Sequence, residues 1–531
     1  MHTAAAEPYK STHKVRFVTA TSLFDGHDAS TNIIRRILQA SGAEVIHLGH
    51  NRSVDEIVTA AIQEDAQGIA VSCYQGGHLE FFKYIKDQLR ERGAEQVRIF
   101  GGGGGVIIPD EIKELEAYGI AKIFSPEDGR RLGLQGMINL MMEQCDFAPQ
   151  RQIEDELAKL QHQDIRAVNT LITLAEQAVH DHTTGYGALR ETIRTMTREV
   201  PVVGITGTGG AGKSSLTDEL VRRFLRDFPG KSVAILAVDP SRQRTGGALL
   251  GDRIRMNAIN TSKVYMRSLA TRDSHSELSA AIKDAIDVVK AAGFDLVFVE
   301  TSGIGQGDAR VVDIADVSLY VMTCEFGAPT QLEKIDMLDF ADLVALNKFE
   351  RKGSEDALRN VRKQYRRNRN LFEVEDEALP VFGTIAAQFN DPGTNVLYRA
   401  LLDTLNAKNE LGLQSQLAIT EKESLKRYII PTDRIHYLGE IVQAVRGYRK
   451  RVMEQVGVAR RLFQLTGARE LVSSPETTAE LDLQVAIHEA NLHAEPKKIL
   501  ADWPCLKETY RQDQLVTRVR DKEIRSDLYT T

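Results

Sequence analysis

An eight-residue glycine-rich stretch, Gly207 to Ser214 (GTGGAGKS), constrains the fold of this chain more than any other sequence feature. It lies between an apolar run, PVVGIT, and an amphipathic stretch, SSLTDELVRRFL, which predict a strand and a helix. The spacing fits G-x-x-x-x-G-K-[ST], in which glycines let backbone N–H groups close around phosphate oxygens in front of a helix N-terminus. The alternative is a glycine-rich turn that matches by chance, and the flanking strand and helix disfavour it. The stretch therefore predicts a P-loop α/β domain that binds a nucleotide.

Two later strands carry the other parts that a nucleotide site needs. FDLVFVETSG ends its apolar run at Glu300, followed by Thr301, where P-loop enzymes place the acid that serves the metal. DLVALNKFE ends in Asn347-Lys348-Phe349-Glu350, close to the N-K-x-D guanine reader. A carboxylate at Glu350 accepts from the ring N–H and amino group of guanine, whereas adenine presents an acceptor at the ring nitrogen. The tetrapeptide alone is equally typical of a surface turn, and its position at a strand end favours GTP.

The amino-acid composition predicts the class of protein and excludes several other classes. With 531 residues, 42% hydrophobic and 27% charged, the chain predicts a globular protein of three or four domains at about 150 residues each. The net charge of -7 argues against a nucleic-acid partner. The four cysteines are far apart and form no CxxC pair, which argues against disulfides or a zinc site. No apolar run is long enough for a membrane span or signal peptide, so we expect no membrane partner and a cytoplasmic location.

The N-terminal part of the chain predicts a second α/β domain. From Lys14 to Cys145, five β-rich runs alternate with helical stretches, which is typical of a doubly wound, flavodoxin-like parallel sheet. Asp25 and His27 follow the first run, at the strand end where such sheets bind ligands. On its own, this D-x-H pair is more often solvated loop polarity than a ligand. A response-regulator receiver is excluded, because the third run ends in VSCY and the fifth in IFSP, without the required Asp and Lys.

The pattern changes along the chain predict the domain boundaries. We expect a flexible tail over 1–12, the first α/β domain over 13–146, a helical lead-in over 147–198, the P-loop domain over 199–408, and a helical linker over 409–531.

Residues 238–256, VDPSRQRTGGALLGDRIRM, carry a more specific signal. Together with ETSGIGQGD and the stretch that ends in ALNKFE, they resemble the metallochaperone-type GTPases that serve cobalamin-dependent acyl-CoA mutases. The resemblance covers most of residues 155–408 and implies that Asp239 and Asp252 help to hold Mg²⁺ and that Arg255 helps to bind nucleotide. The predicted metal ligands are therefore Ser214, Asp239, Asp252, Glu300 and Thr301, with Lys213 and Glu300 as catalytic residues. The predicted nucleotide contacts are Gly209, Gly210, Ala211, Gly212, Lys213, Ser214, Asp252, Arg255, Asn347, Lys348, Phe349 and Glu350.

Residues 25–30, DGHDAS, are similar to the D-x-H-x-x-G motif of mutase-type cobalamin domains, with Ser30 where glycine is usual. The resemblance implies that His27 is the lower axial ligand of cobalt in adenosylcobalamin. Asp25 would take the other ring N–H and fix the tautomer. The displaced nucleotide tail of the cofactor then needs a slot beside the sheet. AVSCYQGG, which contains Ser72, and RIFGGGGG suit such a slot, because backbone without side chains leaves room.

The order of the segments resembles the N-terminal half of the fused isobutyryl-CoA mutases. This implies an acyl-CoA mutase barrel in cis in the complete protein, a homodimer, and an adenosyltransferase that delivers cobalamin. The expected function is a GTPase that gates cofactor loading, with no mutase activity from this portion alone. The alternative is a cobalamin carrier or sensor whose GTP-dependent switch has negligible turnover. Gln306, three residues after Gly303, is a switch-loop residue of undetermined role.

Overall fold

The computed structural model describes residues 6–148, 153–181, 186–272, 278–303, 310–419, 421, 423–426, 430–519 and 522–528. The chain divides into one unit over residues 1–427, which holds both parallel sheets, and a second over residues 428–531. No helix in the described ranges is both long and apolar enough to cross a membrane.

The first sheet has six parallel strands in the order β5-β4-β3-β1-β2-β8. Its first five strands alternate with helices, which confirms the predicted flavodoxin-like arrangement. All seven residues of β1 are buried, as in a parallel sheet covered by helices on both faces. The elements are β1 (Arg16–Ser22), α1 (Asp28–Ala40), β2 (Glu44–Arg52), α2 (Val54–Gln63), β3 (Gly68–Ser72), α3 (His78–Glu91), β4 (Arg98–Gly102), α4 (Pro109–Tyr118), β5 (Lys122–Phe124), α5 (Pro126–Cys145) and, from much later in the chain, β8 (Ala248–Leu250).

Much of the predicted flexible tail is held against this domain. The backbone N–H of Tyr9 donates to Asn139 Oδ1 at 2.9 Å. Those of Thr12 and His13 donate to the Asp146 carboxylate at 2.7 and 2.8 Å. Acceptors on α5 and directly after it thus satisfy the backbone donors of Tyr9, Thr12 and His13, and the flexibility of residues 1–12 stays a prediction.

The predicted lead-in is helical and packs on the second sheet. Leu171 and Ile193 share a buried core with strand residues Leu236 and Val299. The helices are α6 (Ile153–Leu160), α7 (Ile165–Asp181) and α8 (Tyr186–Met196).

The second sheet has seven parallel strands in the order β13-β12-β11-β6-β10-β7-β9. The glycine-rich stretch joins the central strand β6 to α9, as its flanks predict. The elements are β6 (Val202–Gly207), α9 (Lys213–Asp227), β7 (Val233–Asp239), a 3₁₀ turn (Arg253–Arg255), β9 (Val264–Ala270), α10 (Ile282–Ala292), β10 (Leu296–Glu300), β11 (Val317–Met322), α11 (Pro329–Leu332), α12 (Met337–Phe340), β12 (Leu343–Asn347), α13 (Ser354–Asn368), β13 (Val381–Thr384) and α14 (Pro392–Asn409).

The second unit consists of three helices and a hairpin. Residues 514–527 form two antiparallel strands within the predicted helical linker, because the β-branched residues of LVTRV, residues 515–519, suit a strand. The elements are α15 (Tyr437–Leu471), α16 (Pro475–Asn491), α17 (Ala494–Tyr510), β14 (Gln514–Val519) and β15 (Lys522–Asp527).

Candidate functional sites

The first candidate site is on the loop from β1 to α1, at the carboxyl end of the first sheet. The Asp25 side chain is 1% exposed, whereas the His27 imidazole is 72% exposed. His27 Nδ1 lies 2.7 Å from Asp25 Oδ1, and the backbone N–H of Tyr74 donates to Asp25 Oδ2 at 2.6 Å. The carboxylate therefore engages one ring nitrogen and leaves Nε2 as the nitrogen that can bind a ligand.

The Asp25 carboxyl is suited to remain charged. Burial by itself raises its pKa, but hydrogen bonds from the backbone N–H groups of Tyr74 and His27, and from the His27 ring, outweigh burial and hold the pKa below its ordinary value. An ionised Asp25 accepts a hydrogen bond from Nδ1–H, and this tautomer places the imidazole lone pair on Nε2.

A cavity of about 330 Å³ lies beside this loop, between α1, the ends of β3 and β4, and α5. Tyr74 lines it, and the Tyr74 ring centre is 5.2 Å from that of His27. Ser72 lines it as well, with its hydroxyl 2.9 Å from that of Ser30. Gly101–Gly104 form another wall. The space expected from the glycine-rich strand ends is therefore present, and it lies next to the histidine.

The second candidate site is the loop between β6 and α9. Gly210 and Gly212 have φ of 75° and 93°, in the region that favours glycine. At Gly207, a Cβ would lie 1.9 Å from the carbonyl oxygen of Val321, so no side chain fits there. Lys213 Nζ donates to the Gly207 carbonyl oxygen at 3.2 Å, which holds the ammonium group across the loop. This geometry suits a phosphate chain bound by the backbone N–H groups of residues 209–214.

Predicted metal ligands meet at the start of α9. The Ser214 hydroxyl is within hydrogen-bond distance of Glu300 Oε1, at 2.8 Å, and of Asp252 Oδ1, at 3.0 Å. Asp239 ends β7, and its Oδ2 accepts the backbone N–H of Gly251 at 3.0 Å, next to Asp252. The structure thus groups residues from β7, β10 and the segment after β8 around one hydroxyl.

The electrostatics of this group favour a cation. Burial, and then repulsion from Asp252, raise the pKa of Glu300 to about 8. Burial and the same neighbour raise the pKa of Asp239 well above its ordinary value. Among the described residues, no three His, Cys, Asp or Glu side chains form a metal-binding group by themselves. Mg²⁺ does not need one, because it keeps several waters and takes one or two carboxylates together with nucleotide phosphates. The donor set fits Mg²⁺ bound with a nucleotide.

The other two residues predicted to bind metal or nucleotide, Thr301 and Arg255, lie away from the Ser214 hydroxyl. The Thr301 hydroxyl donates to Thr206 Oγ1 on β6 at 2.9 Å. Arg255 is 65% exposed, with its Nη1 3.8 Å from Asp252 Oδ1. The roles of both residues stay predictions, and Gln306 lies outside the described residues.

The Asn347–Glu350 stretch is attached to the glycine-rich loop. Asn347 Nδ2 donates to the Ala211 carbonyl oxygen at 2.8 Å, and Lys348 Nζ donates to that of Gly210 at 2.6 Å. Phe349 packs against Gly383, where a Cβ would lie 2.7 Å from the ring. Glu350 is exposed at the end of this stretch. The predicted base-reading carboxylate is thus accessible, while its neighbours hold the phosphate loop.

Sequence reasoning missed the link between the two sites. β8 lies between Asp239 and Asp252 in the chain, yet it pairs with β2 of the first sheet, Glu44 opposite Ala248. Arg253 and Glu64 form a buried ion pair beside it. Three apolar residues carry no recognisable strand period, and the only signal was a buried-type run, ALL, in a glycine-rich loop.

The family model for the methylmalonyl-CoA mutase-associated GTPase MeaB matches residues 168–436. The chain belongs to this family. A model for the B12-binding domain also matches residues 15–129 of this MeaB-family GTPase, so the domain that carries His27 is a cobalamin-binding domain.

Three similar proteins are fused isobutyryl-CoA mutases. That of Geobacillus kaustophilus is 61% identical over 533 residues, covering 99% of this chain and 49% of the relative. Those of Cupriavidus metallidurans and Nocardia farcinica are 53% and 52% identical, covering 100% and 98% of this chain and 49% and 48% of the relatives. The MeaB-family chain thus spans about half the length of these relatives and corresponds to the cobalamin-binding and GTPase portion of a fused mutase.

Proposed function

We propose that this chain holds adenosylcobalamin through His27 and uses Mg²⁺-dependent GTP hydrolysis to gate the loading and protection of that cofactor. The process it serves is a radical acyl-CoA mutase reaction, the interconversion of isobutyryl-CoA and n-butyryl-CoA in the complete protein. The observation that carries the proposal is the ordered Asp25–His27 pair beside a glycine-walled cavity, in the same unit as the phosphate loop.

Each residue of the cobalamin site has a defined task. His27 Nε2 would bind cobalt, and Asp25 would hold the imidazole in the required tautomer and orientation. Tyr74 fixes Asp25 through its backbone N–H, and the cavity between Ser72 and Gly101–Gly104 would take the nucleotide tail of the cofactor. When bound, adenosylcobalamin supplies a carbon-centred radical through cleavage of its cobalt–carbon bond.

At the GTP site, the residues place charge around the terminal phosphates. Lys213 would leave the Gly207 carbonyl oxygen and contact the β- and γ-phosphates. Ser214, Asp252 and Glu300, with Asp239 behind them, would hold Mg²⁺ directly or through waters. Glu350 would accept from the guanine edge. Hydrolysis then proceeds by positioning and electrostatic stabilisation, because phosphoryl transfer needs little covalent chemistry from the protein.

The second unit favours a macromolecular partner. Helices α15, α16 and α17 contain no buried residue among those described, and they expose large apolar side chains, including Phe463, Leu471 and Trp503. Exposed apolar surface of this kind marks interaction sites. We infer that an acyl-CoA mutase barrel covers it in the complete protein, as a homodimer supplied with cobalamin by an adenosyltransferase.

A spectrum of the full chain mixed with adenosylcobalamin tests the first half of the proposal. We expect base-off cofactor with nitrogen-ligated cobalt. His27→Ala should lose that ligation, because no imidazole remains beside Asp25. His50→Ala is the matched control, since His50 is an exposed histidine of β2 in the same domain and should bind normally. An unchanged spectrum and affinity in His27→Ala would contradict the assignment.

Nucleotide binding tests the second half. Lys213→Ala should weaken binding of GTP by at least about tenfold, because it removes a charged contact to phosphate. Lys263→Ala, at an exposed lysine of the same domain, should leave binding unchanged. Equal binding of GTP by the wild-type chain and the Lys213→Ala variant would contradict the proposed phosphate site.

A further inference from the structure

The segment between β7 and the 3₁₀ turn, residues 240–255, belongs to both domains; we refer to it as the bridging segment. It starts directly after Asp239 and contains Asp252 and Arg255 near its end. Asp239 accepts the backbone N–H of Gly251, and Asp252 lies 3.0 Å from the Ser214 hydroxyl. Both ends of the segment are therefore at the proposed nucleotide site.

The middle of the bridging segment is built into the cobalamin-binding domain. Ala248 and Leu250 are fully buried in the core of the first sheet. The backbone N–H of Ala248 donates to the Ala43 carbonyl oxygen at 3.1 Å, which extends the parallel ladder beside β2. A Cβ on Gly247 would lie 2.1 Å from the Gln39 carbonyl oxygen, so the segment also packs tightly on the end of α1. The middle of the bridging segment, β8, is therefore a strand of the first domain and not a loop that covers it.

Arg253 fastens the end of the segment that carries Asp252. Its side chain is 5% exposed and that of Glu64 is fully buried. Arg253 Nε donates to Glu64 Oε1 at 3.2 Å, and Nη2 donates to Gln63 Oε1 at 2.6 Å and to the Met266 carbonyl oxygen at 2.8 Å. Gln63 and Glu64 end α2 of the cobalamin-binding domain, whereas Met266 is on β9 of the GTPase domain. One guanidinium group thus joins both domains at the residue next to Asp252.

The contacts on either side of Arg253 leave the turn little freedom. Glu64 also accepts the backbone N–H and hydroxyl of Ser268, each at 2.9 Å, so its carboxylate is fixed from the GTPase domain as well. Ile254 packs against Gly49 of β2, where a Cβ would lie 2.7 Å from Ile254 Cδ1. A shift of Asp252 would require movement of a buried ion pair and of a close-packed strand.

We propose that Arg253 is a positioning residue for the Mg²⁺·GTP site, and that Glu64 of the cobalamin-binding domain completes that site by holding Arg253. The cobalamin-binding domain then sets the geometry of the metal-binding carboxylate Asp252. This inference rests on the proposed Mg²⁺·GTP function of the second site and adds to it a residue from the other domain.

Binding of a fluorescent GTP analogue to the full chain, titrated with Mg²⁺, tests the proposal. We expect Arg253→Met and Glu64→Gln to raise the Mg²⁺ concentration at half-saturation about tenfold, as loss of a residue that orients a metal ligand does. Binding measured with a chelator in place of Mg²⁺ should change less than about twofold, because the phosphate loop itself is untouched. Arg253→Lys keeps the positive charge but replaces the separate Nε and Nη2 donors by one ammonium group. It should give an intermediate shift in the Mg²⁺ concentration at half-saturation.

Glu176→Gln is the matched control. Glu176 is also a buried carboxylate between arginines of both domains, Arg16 and Arg267, but the structure shows no contact of its carboxylate with residues 240–255 among those described. We expect it to lower the unfolding temperature as much as Glu64→Gln while keeping the wild-type Mg²⁺ dependence. Where a charge variant fails to fold, Gln63→Ala removes a neutral amide that accepts from Arg253 and donates to the Val264 carbonyl oxygen, and it should still shift the Mg²⁺ midpoint by about threefold.

The outcomes separate this inference from the proposed function. If Ser214→Ala alters the Mg²⁺ dependence but the variants at Arg253, Glu64 and Gln63 do not, the positioning role is wrong and the Mg²⁺·GTP site stands. If Ser214→Ala has no effect either, the Mg²⁺·GTP site itself is wrong. A shift in Glu176→Gln equal to that in Glu64→Gln would also overturn the proposal, since it would reflect domain stability alone.

Discussion

At the scale of single residues, the proposed cobalamin site consists of a buried carboxylate that supports an exposed imidazole. Asp25 accepts hydrogen bonds from Tyr74 and from His27. In Asp25→Asn, the neutral amide would no longer select the tautomer of His27, and we expect affinity for adenosylcobalamin to fall at least about tenfold. Titration of the protein with adenosylcobalamin, followed by the absorption spectrum of the cofactor, measures this affinity.

Asp28→Asn is the control for that prediction, because Asp28 follows His27 as the first residue of α1 and is exposed. We expect it to bind adenosylcobalamin like the wild-type chain. An equal loss in both variants would mean that the total charge of the loop, rather than the contact to His27, sets the affinity.

In the proposed nucleotide site, Glu350 is the residue that would select guanine over adenine. Glu350→Asp should keep the preference for GTP over ATP, because the carboxylate remains. Glu350→Gln should reduce the preference by about tenfold or more, since an amide cannot accept from both guanine donors. Competition of unlabelled GTP and ATP against a bound fluorescent nucleotide measures the ratio, and an undiminished preference in Glu350→Gln would contradict the assignment.

A half-buried histidine of β2 predicts part of the response of the protein to acid. Burial, with smaller effects from Arg35 and Arg52, lowers the pKa of His47 from 6.5 to about 4. The unfolded chain therefore takes up this proton at a higher pH than the folded one, so stability should fall as the pH drops from 6.5 towards 4. His47→Gln should flatten that part of the profile of unfolding temperature against pH. A profile parallel to that of the wild-type chain would argue against the lowered pKa.

At the scale of elements, the ends of β3 and β4 shape the cofactor cavity. A Cβ on Gly103 would lie 2.0 Å from the Cys73 carbonyl oxygen, whereas a Cβ on Gly105 would meet no atom within 4 Å. Gly103→Ala should destabilise the domain by about 1–3 kcal/mol and weaken cobalamin binding, because overpacking shifts the backbone. Gly105→Ala should do neither. Thermal unfolding and cofactor titration of both variants check this, and a stable Gly103→Ala protein with full affinity would contradict it.

The sequence predicts those strands that contain a long apolar run. β1, β6 and β10 were predictable, and with them the positions of Asp25, Lys213 and Glu300 at or after their ends, whereas the roles of these residues stay predictions. β8 was not, because three residues carry no period and their partner β2 is about 200 residues away in the chain. The hairpin at 514–527 was not predicted, because its many charged residues leave no apolar and polar alternation in either strand.

The residues around Arg253 could not be predicted for a related reason. A charged residue can be assigned to a buried ion pair only when its partner in the pair is known. Glu64, Arg253 and Ser268 come from three separate stretches of the chain. In sequence, Glu64 is one acid near the end of the helical stretch VDEIVTAAIQED, and Arg253 is one base in GDRIRM. Only the packing of the two sheets shows that they are buried against each other.

At the scale of the whole molecule, we expect slow GTP hydrolysis by this chain alone. Gln306 follows Gly303 by three positions rather than one, and the sequence offers no evident arginine finger, so charge in the transition state would be poorly stabilised. Addition of the C-terminal half of a fused mutase should raise single-turnover hydrolysis by up to about 10³-fold. Unchanged turnover after that addition would favour a nucleotide switch with negligible hydrolysis.

The sheet that β8 completes also has an order of assembly. β2 leaves the ribosome long before its neighbour at residues 248–250, by about 10 to 40 seconds at typical synthesis rates of about 5–20 residues per second. During that interval, the edge of β2 has unpaired backbone groups that another nascent chain could occupy. The sheet of the first domain therefore cannot be completed until about the first quarter of the second domain, up to Leu250, has been made, and a chain cut between the two domains would carry an unpaired edge that can exchange strands with a neighbour.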